Sequence, residues 1–256
     1  MTAAATIDLN CDMGESFGVW RSADDEQLLE WVTSANIACG FHAGDPNVME
    51  ATTKAALQRA VAVGAHPSYP DLAGFGRRSM RVEPADLERL VLYQISALAG
   101  IVSACGGRLR HVKPHGALYN DAAQDAEKAR AVARAVARLD KQLIFVGLAG
   151  SQMQAAANAA GLRFAAEAFC DRAYETDGSL RRRSLAHALH ADPAAAASQA
   201  LDIALHRRVT CGAANEQIEI SAQTICVHGD TPGAVAIARA VRQALAGAGV
   251  LVKALD

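Results

Sequence analysis

The side chains able to do chemistry recur in one kind of place, directly after short apolar runs. TIDLN (6–10) leads into Cys11-Asp12-Met13-Gly14-Glu15-Ser16, and ANIACG (35–40) into Phe41-His42-Ala43-Gly44-Asp45. VGAH (63–66) ends in His66, LRHVKP (109–114) carries Lys113 and is followed by His115, and RFAAEAF (163–169) is followed by Cys170-Asp171-Arg172. TICVHG (224–229) contains His228 and precedes Asp230 and Thr231; only QLIFVGL (142–148) is poor in such groups, offering Ser151 and Gln152. His42, His66, His115 and His228 are the histidines placed to move protons near neutral pH. Lys113, beside Pro114, is a fixed cation suited to an oxyanion or a phosphate. Asp12, His42 and His66 come from successive run ends and suit a catalytic divalent ion with an open position. The local HExxH signature is absent, so no residue is assigned to a metal on sequence grounds, although a divalent ion is compatible with the set.

Other polar residues have plainer readings. Asp45 stands where a helix N-cap belongs, ahead of Pro46, so capping competes with catalysis for it. Asp230 precedes the Thr231 cap and is freer to serve a ligand. Asp8 alternates with Ile7 and Leu9 as a buried strand residue, and His111 reads as a hydrogen-bonded packing histidine. His187, His190 and His206 read as loop or surface residues. Arg181-Arg182-Arg183 reads as a solvated loop from which Arg183 could reach a carboxylate. There is no GxxxxGK[ST] phosphate loop and no GxSxG elbow, and Gly74-Phe75-Gly76 reads as a turn.

The positioning elements follow from periodicity. The apolar runs are strand candidates, and helical patterns separate most of them. Leu87, Leu90, Val91, Ile95, Leu98 and Val102 make one apolar stripe; Ala234, Ile237, Ala238, Val241 and Leu245 make another. Asp45-Pro46, Asp192-Pro193 and Thr231-Pro232 mark helix starts, and residues 193–204 form an Ala-rich helix. DRAYETDGSLRRRS reads as a long loop between Cys170 and Asp192, and EQIEI (216–220) as a short strand able to pair at an edge. Strand then helix, about seven times over, implies a parallel sheet with crossovers. Seven or eight units favour a closed or nearly closed (β/α) barrel, filling residues 1–256 as one domain, over an open doubly wound sheet. In such folds ligands sit at the carboxyl ends of the strands, where these clusters should meet.

Composition removes several classes. The 256 residues are 51% hydrophobic with a net charge of -2, which excludes global disorder and argues against nucleic-acid binding. No apolar run approaches a membrane span, and Met1 to Thr6 lack a basic leader region. The six cysteines include no CxxC pair, as in a reduced cytoplasmic protein.

IDLNCDMGESFG, SANIACGFHAGDPNVM, VGAHPSYPDLAGFGRR, HVKPHGALYN, FCDRAY with the following DG, and TICVHGDTPGA closely resemble the LamB/YcsF family, in order, from Ile7 to about Val250. The resemblance implies a distorted (β/α) barrel similar to the glycoside hydrolase/deacetylase superfamily. It implies ATP-dependent opening of the 5-oxoproline lactam to L-glutamate, with 5-oxoprolinase subunits B and C as partners. Matching positions give Asp12, His42, His66, Lys113, His115 and Asp230 as catalytic candidates, and Glu15, Asp45, Arg77, Asp171, Arg172 and His228 as substrate-binding candidates. On that chemistry Asp12 or His66 is the base, Lys113 the oxygen partner, and Arg77 or Arg172 the carboxylate fork; His42 and His115 orient or shuttle protons. Lacking a phosphate loop, the chain is expected to leave ATP handling to its partners. The competing readings are a metal-dependent deacetylase-like hydrolase and a non-catalytic binding protein within the complex.

Overall fold

The computed structural model describes residues 5–22, 24–211, 216–231 and 233–256. Along the chain run β1 (Thr6–Met13), α1 (Asp25–Leu28), β2 (Ser34–Ala38), α2 (Pro46–Gln58), β3 (Ala62–His66), α3 (Pro84–Ala104) and β4 (His111–Val112). There follow α4 (Gly116–Gln124), α5 (Ala126–Leu139), β5 (Ile144–Leu148), α6 (Gln152–Ala160), β6 (Arg163–Phe169) and α7 (Pro193–Leu201). A π-helical turn, Asp202–His206, continues α7, and β7 (Arg208–Cys211), β8 (Glu216–Glu219), β9 (Thr224–Val227), α8 (Ala234–Gly247) and β10 (Leu251–Val252) complete the order. Strands β1-β2-β3-β4-β5-β6-β9 pair in parallel, and β9 pairs back onto β1, closing a seven-stranded barrel. The short β10 adds to the start of β1 through Thr6 and Ile7.

Alternation within β1 sorts its side chains. Ile7, Leu9, Cys11 and Met13 join the main apolar core. Asp8, Asn10 and Asp12 occupy the other face, because successive strand residues point to opposite sides. Hydrogen bonds between strands that are not neighbours show that this second face is the barrel interior. Asn10 on β1 donates to Glu167 on β6 (3.0 Å), and His111 on β4 meets Asn36 on β2 (2.8 Å). At one end of the interior Asp8 accepts from Thr33, Ser34 and Thr224. This barrel is therefore threaded by a polar network, and its apolar packing lies outside the strands, under the helices.

Proline and capping signals set most helix starts. Asp45 accepts from Asn47 and Val48 ahead of α2, and Asp192 from Ala194 ahead of α7. The expected start at Thr231-Pro232 is displaced: α8 begins at Ala234, after Gly233 at φ +80°, and Pro232 lies outside the described residues. EQIEI finds no barrel edge, since the barrel is closed; β8 instead pairs antiparallel with β7. The 170–192 stretch folds on itself through short bridges, Arg172 to Leu189 and Tyr174 to Leu180. Among the described residues α3 alone is long and apolar enough, by length and composition, to cross a membrane. Its stripe Leu87, Val91, Ile95, Leu98, Val102 is buried in the core.

Gly64 is where the interior is tightest, since a Cβ there would overlap the His111 ring. Gly64→Ala should drive the ring off Asn36 and lower stability by about 1–3 kcal/mol, read from urea unfolding. An unchanged midpoint would show that the interior yields.

Candidate active site

The carboxyl ends of the strands open into a cavity of about 910 Å³. Its lining takes Asp12 from the end of β1 and Glu15 just after it, His66 from the end of β3, Lys113 and His115 after β4, Phe169 from the end of β6 and Arg172 after it, and His228 and Asp230 after β9. Residues separated by more than two hundred positions therefore share one mouth, as the strand-end pattern requires.

At the floor lies Lys113, only 2% exposed. Its Nζ donates to Asp12 Oδ1 (2.9 Å) and Asn10 Oδ1 (3.1 Å), and it pairs with Glu167 Oε1 (2.8 Å); Cys226 Sγ sits at 3.1 Å. Burial opposes the charge, but Asp12, Cys226 and Glu167 hold the ammonium well above the usual lysine range. Burial also opposes ionisation of Asp12, yet His66 and Lys113 hold its carboxyl well below the usual carboxylate range. An ammonium has three protons, and Asp12, Glu167 and Asn10 take all three. Lys113 is thus a fixed charge beneath the cavity rather than the substrate-oxygen partner expected of it.

Above it the imidazoles converge. His66 Nδ1 donates to the Lys113 carbonyl (2.7 Å) and its Nε2 lies 3.2 Å from Asp12 Oδ2. His115 Nε2 donates to the Phe75 carbonyl (2.9 Å), and its Nδ1 faces both His66 Nε2 (3.0 Å) and Glu15 Oε1 (3.2 Å). His42 stacks on His115 with centroids 3.8 Å apart and meets the same Glu15 oxygen at 3.2 Å. Burial and His115 push His42 down to about 3, so its ring is neutral. Burial opposes the Glu15 charge, but hydrogen bonds from His115 and His42 hold its carboxyl well below the ordinary range. The Gly74-Phe75-Gly76 turn, with Phe75 at φ +53° and Gly76 at φ +63°, thus supplies the carbonyl that fixes His115. Glu15, His42, His66 and His115 each bring a ligand atom within 4.8 Å of the others, a donor set that fits a cation; Asp12, Cys226 and His228 form a second such group. The sequence-level trio Asp12, His42, His66 is thereby regrouped.

The walls carry the arginines. Arg172 is buried; its Nη2 donates to the Arg181 carbonyl (2.7 Å) and its Nε to the Ala188 carbonyl (3.4 Å). Burial and neighbouring Arg183 push it down to about 10, and among the described residues no carboxylate forms an ion pair with it. Arg77 and Arg183 both pair with Asp230, so that carboxylate is less free than expected. Asp171 is fully buried and accepts from His228 Nδ1 (2.9 Å) and from the His228 amide (2.9 Å), so it orients His228 from behind. Asp45 stays outside the cavity: its Oδ1 caps α2 and its Oδ2 accepts from the Gly18 amide (2.7 Å). His111 is a packing residue, pushed down to about 3 by burial and then Lys113.

Glu167 is the residue that strand-end reasoning missed. It lies mid-strand between Ala166 and Ala168, and that isolated charge in an apolar run was its signal, as for Asp8. Tyr119 lines the cavity nearby, and burial together with Glu167 pushes its phenol well up.

Residues 7–256 match the model of the LamB/YcsF family. The chain is 56% identical over 252 residues to the A component of the 5-oxoprolinase of Methylococcus capsulatus, covering 98% of this chain and 96% of that one. It is 45% identical, at a TM-score of 0.92, to the crystal structure of a lactam utilization protein from Thermus thermophilus, covering 98% of this chain and 100% of that one. A T48 deacetylase solved with substrate, 11% identical at a TM-score of 0.50 and covered over 87% of its length against 97% of this chain, shares the fold alone.

Removing the floor cation should leave two buried carboxylates facing each other. Lys113→Met should cost about 3–5 kcal/mol in urea unfolding, and Lys113→Met with Glu167→Gln should recover part of that loss. Strict additivity of the two changes would contradict the coupling.

Proposed function

The chain belongs to the LamB/YcsF family, and from that premise we propose that it is the lactam-binding component of an ATP-dependent 5-oxoprolinase, opening 5-oxoproline to L-glutamate with subunits B and C. The observation that carries the reading is the buried guanidinium of Arg172, which forms no ion pair with a carboxylate among the described residues, on the same cavity as the ionised Asp12 and the Asp171-held His228. The names of the similar proteins, a 5-oxoprolinase component and a lactam utilization protein, support the substrate class.

A 5-oxoproline molecule offers a carboxylate, a ring nitrogen and a carbonyl carbon. Arg172 takes the carboxylate, since a guanidinium binds such a group through parallel hydrogen bonds. The lactam carbonyl is resonance-stabilised and resists water. Phosphorylation of its oxygen by ATP releases ADP and leaves a carbon open to attack. Asp12, held as a carboxylate by Lys113, receives the water proton at Oδ2. His228 has Nδ1 committed to Asp171, so Nε2 is its free nitrogen, and in its protonated form it delivers a proton to the ring nitrogen as the C–N bond breaks. The product of that cleavage is an acyl phosphate, and a second water hydrolyses it to glutamate and inorganic phosphate. No phosphate-binding loop is present in the sequence, so the nucleotide is assigned to the partner subunits. The six free thiols suit the reducing cytoplasm.

The test is glutamate formation from 5-oxoproline and ATP by the assembled complex. Arg172→Ala should raise KM about 10- to 100-fold with little change in kcat, the loss of a charge-assisted pair worth about 1.5–3 kcal/mol. Asp12→Asn should lower kcat about 10²- to 10⁴-fold at nearly constant KM. Full activity of subunits B and C without this chain would overturn the assignment.

A further inference from the structure

Four electron-pair donors meet at the cavity floor. Backbone carbonyls fix both tautomers: His66 gives its Nδ1 proton to Lys113, and His115 gives its Nε2 proton to Phe75. In the neutral rings, His66 Nε2 and His115 Nδ1 are therefore lone-pair nitrogens, and they face each other at 3.0 Å. Two anionic oxygens close the group, Glu15 Oε1 at 3.2 Å from His115 Nδ1 and Asp12 Oδ2 at 3.2 Å from His66 Nε2. With both rings neutral such an arrangement is repulsive, and it is relieved either by a proton on a ring or by a cation in the middle.

The spacing fits a small divalent cation. Ligands bound at about 2.0–2.1 Å lie about 3.3–3.4 Å apart in a tetrahedron and about 2.8–3.0 Å apart in an octahedron. The observed separations of 3.0 to 3.2 Å fall between those values. Ligating histidines also characteristically donate their other N–H to a backbone carbonyl or carboxylate, as both rings do here.

We propose that Glu15 Oε1, His66 Nε2 and His115 Nδ1 form a three-ligand site for a divalent transition metal of the zinc, cobalt or manganese type. His42 orients Glu15 by its contact at 3.2 Å. All three ligands line the cavity, which leaves a coordination position open toward it. Two imidazoles in the set separate this ion from the magnesium that accompanies nucleotides, which takes oxygen ligands. The site does not rest on the lactam reading, and its test needs no substrate.

The full-length chain, stripped with chelator, is titrated with Co²⁺ while visible absorption is followed, then with Zn²⁺ in competition. The expected result is one saturable Co²⁺ per chain, displaced by Zn²⁺, with a rise in Tm that Mg²⁺ at the same concentration does not produce. Glu15→Gln and His115→Gln should each weaken binding about tenfold or more. Absence of saturable Co²⁺ or Zn²⁺ binding by the unmodified chain overturns the proposal whatever the variants do. So does binding that is unchanged in both variants.

Discussion

One buried ammonium organises the interior of this barrel. Lys113 is almost wholly buried, between Asp12 at 2.9 Å and Glu167 at 2.8 Å. Taking three charges out of water is expensive, and their mutual attraction offsets this only when geometry is good and remaining sites are hydrogen-bonded. The geometry is good, and Asn36 donates to Asp12 (2.9 Å) while Asn10 donates to Glu167 and accepts from Lys113, leaving only Glu167 Oε2 of this group without a hydrogen-bond partner among the described residues. The arrangement fixes the Asp12 carboxylate in charge and position before any ligand arrives. Preorganised charge of this kind lowers the cost of rearranging a site during reaction.

The same polar interior accounts for the division of labour between barrel and loops. Strands deliver rigid groups at the floor, with His66 and Lys113 anchored by backbone ladders on either side. Loops add the adaptable wall: the 170–192 segment brings Arg172, Arg182 and Arg183 over the mouth and is held down by Tyr174, whose hydroxyl accepts from the Phe169 amide at 2.7 Å. The cavity, at about 910 Å³, exceeds what a small lactam fills, leaving free room at the arginine rim.

Much of this was legible in the sequence, for identifiable reasons. Strand-then-helix repetition at short spacing leaves few parallel topologies, and polar clusters at strand ends converge in all of them, so Asp12, His66, Lys113, His115, His228 and Asp230 could be gathered from the order of residues alone. The family motifs sharpened that grouping. What stayed hidden depends on side-chain reach. Glu167 lies inside a strand, where a charge reads as a packing residue until the barrel closes and turns it toward Lys113. Asp45 carries two compatible roles, and only the fold shows that backbone amides occupy both its oxygens. The β7–β8 pairing and the start of α8 depend on local turns rather than on apolar periodicity.

The central claim is that the Lys113-centred floor and Arg172 grip one lactam between them. A crystal structure of the chain with 5-oxoproline tests it most directly. The account predicts the ligand carboxylate on the Arg172 guanidinium, with the lactam carbonyl carbon facing Asp12 across a gap of about 3–3.5 Å or one water. A lactam bound elsewhere on the chain, or in the cavity with its carboxylate turned away from Arg172, would contradict it.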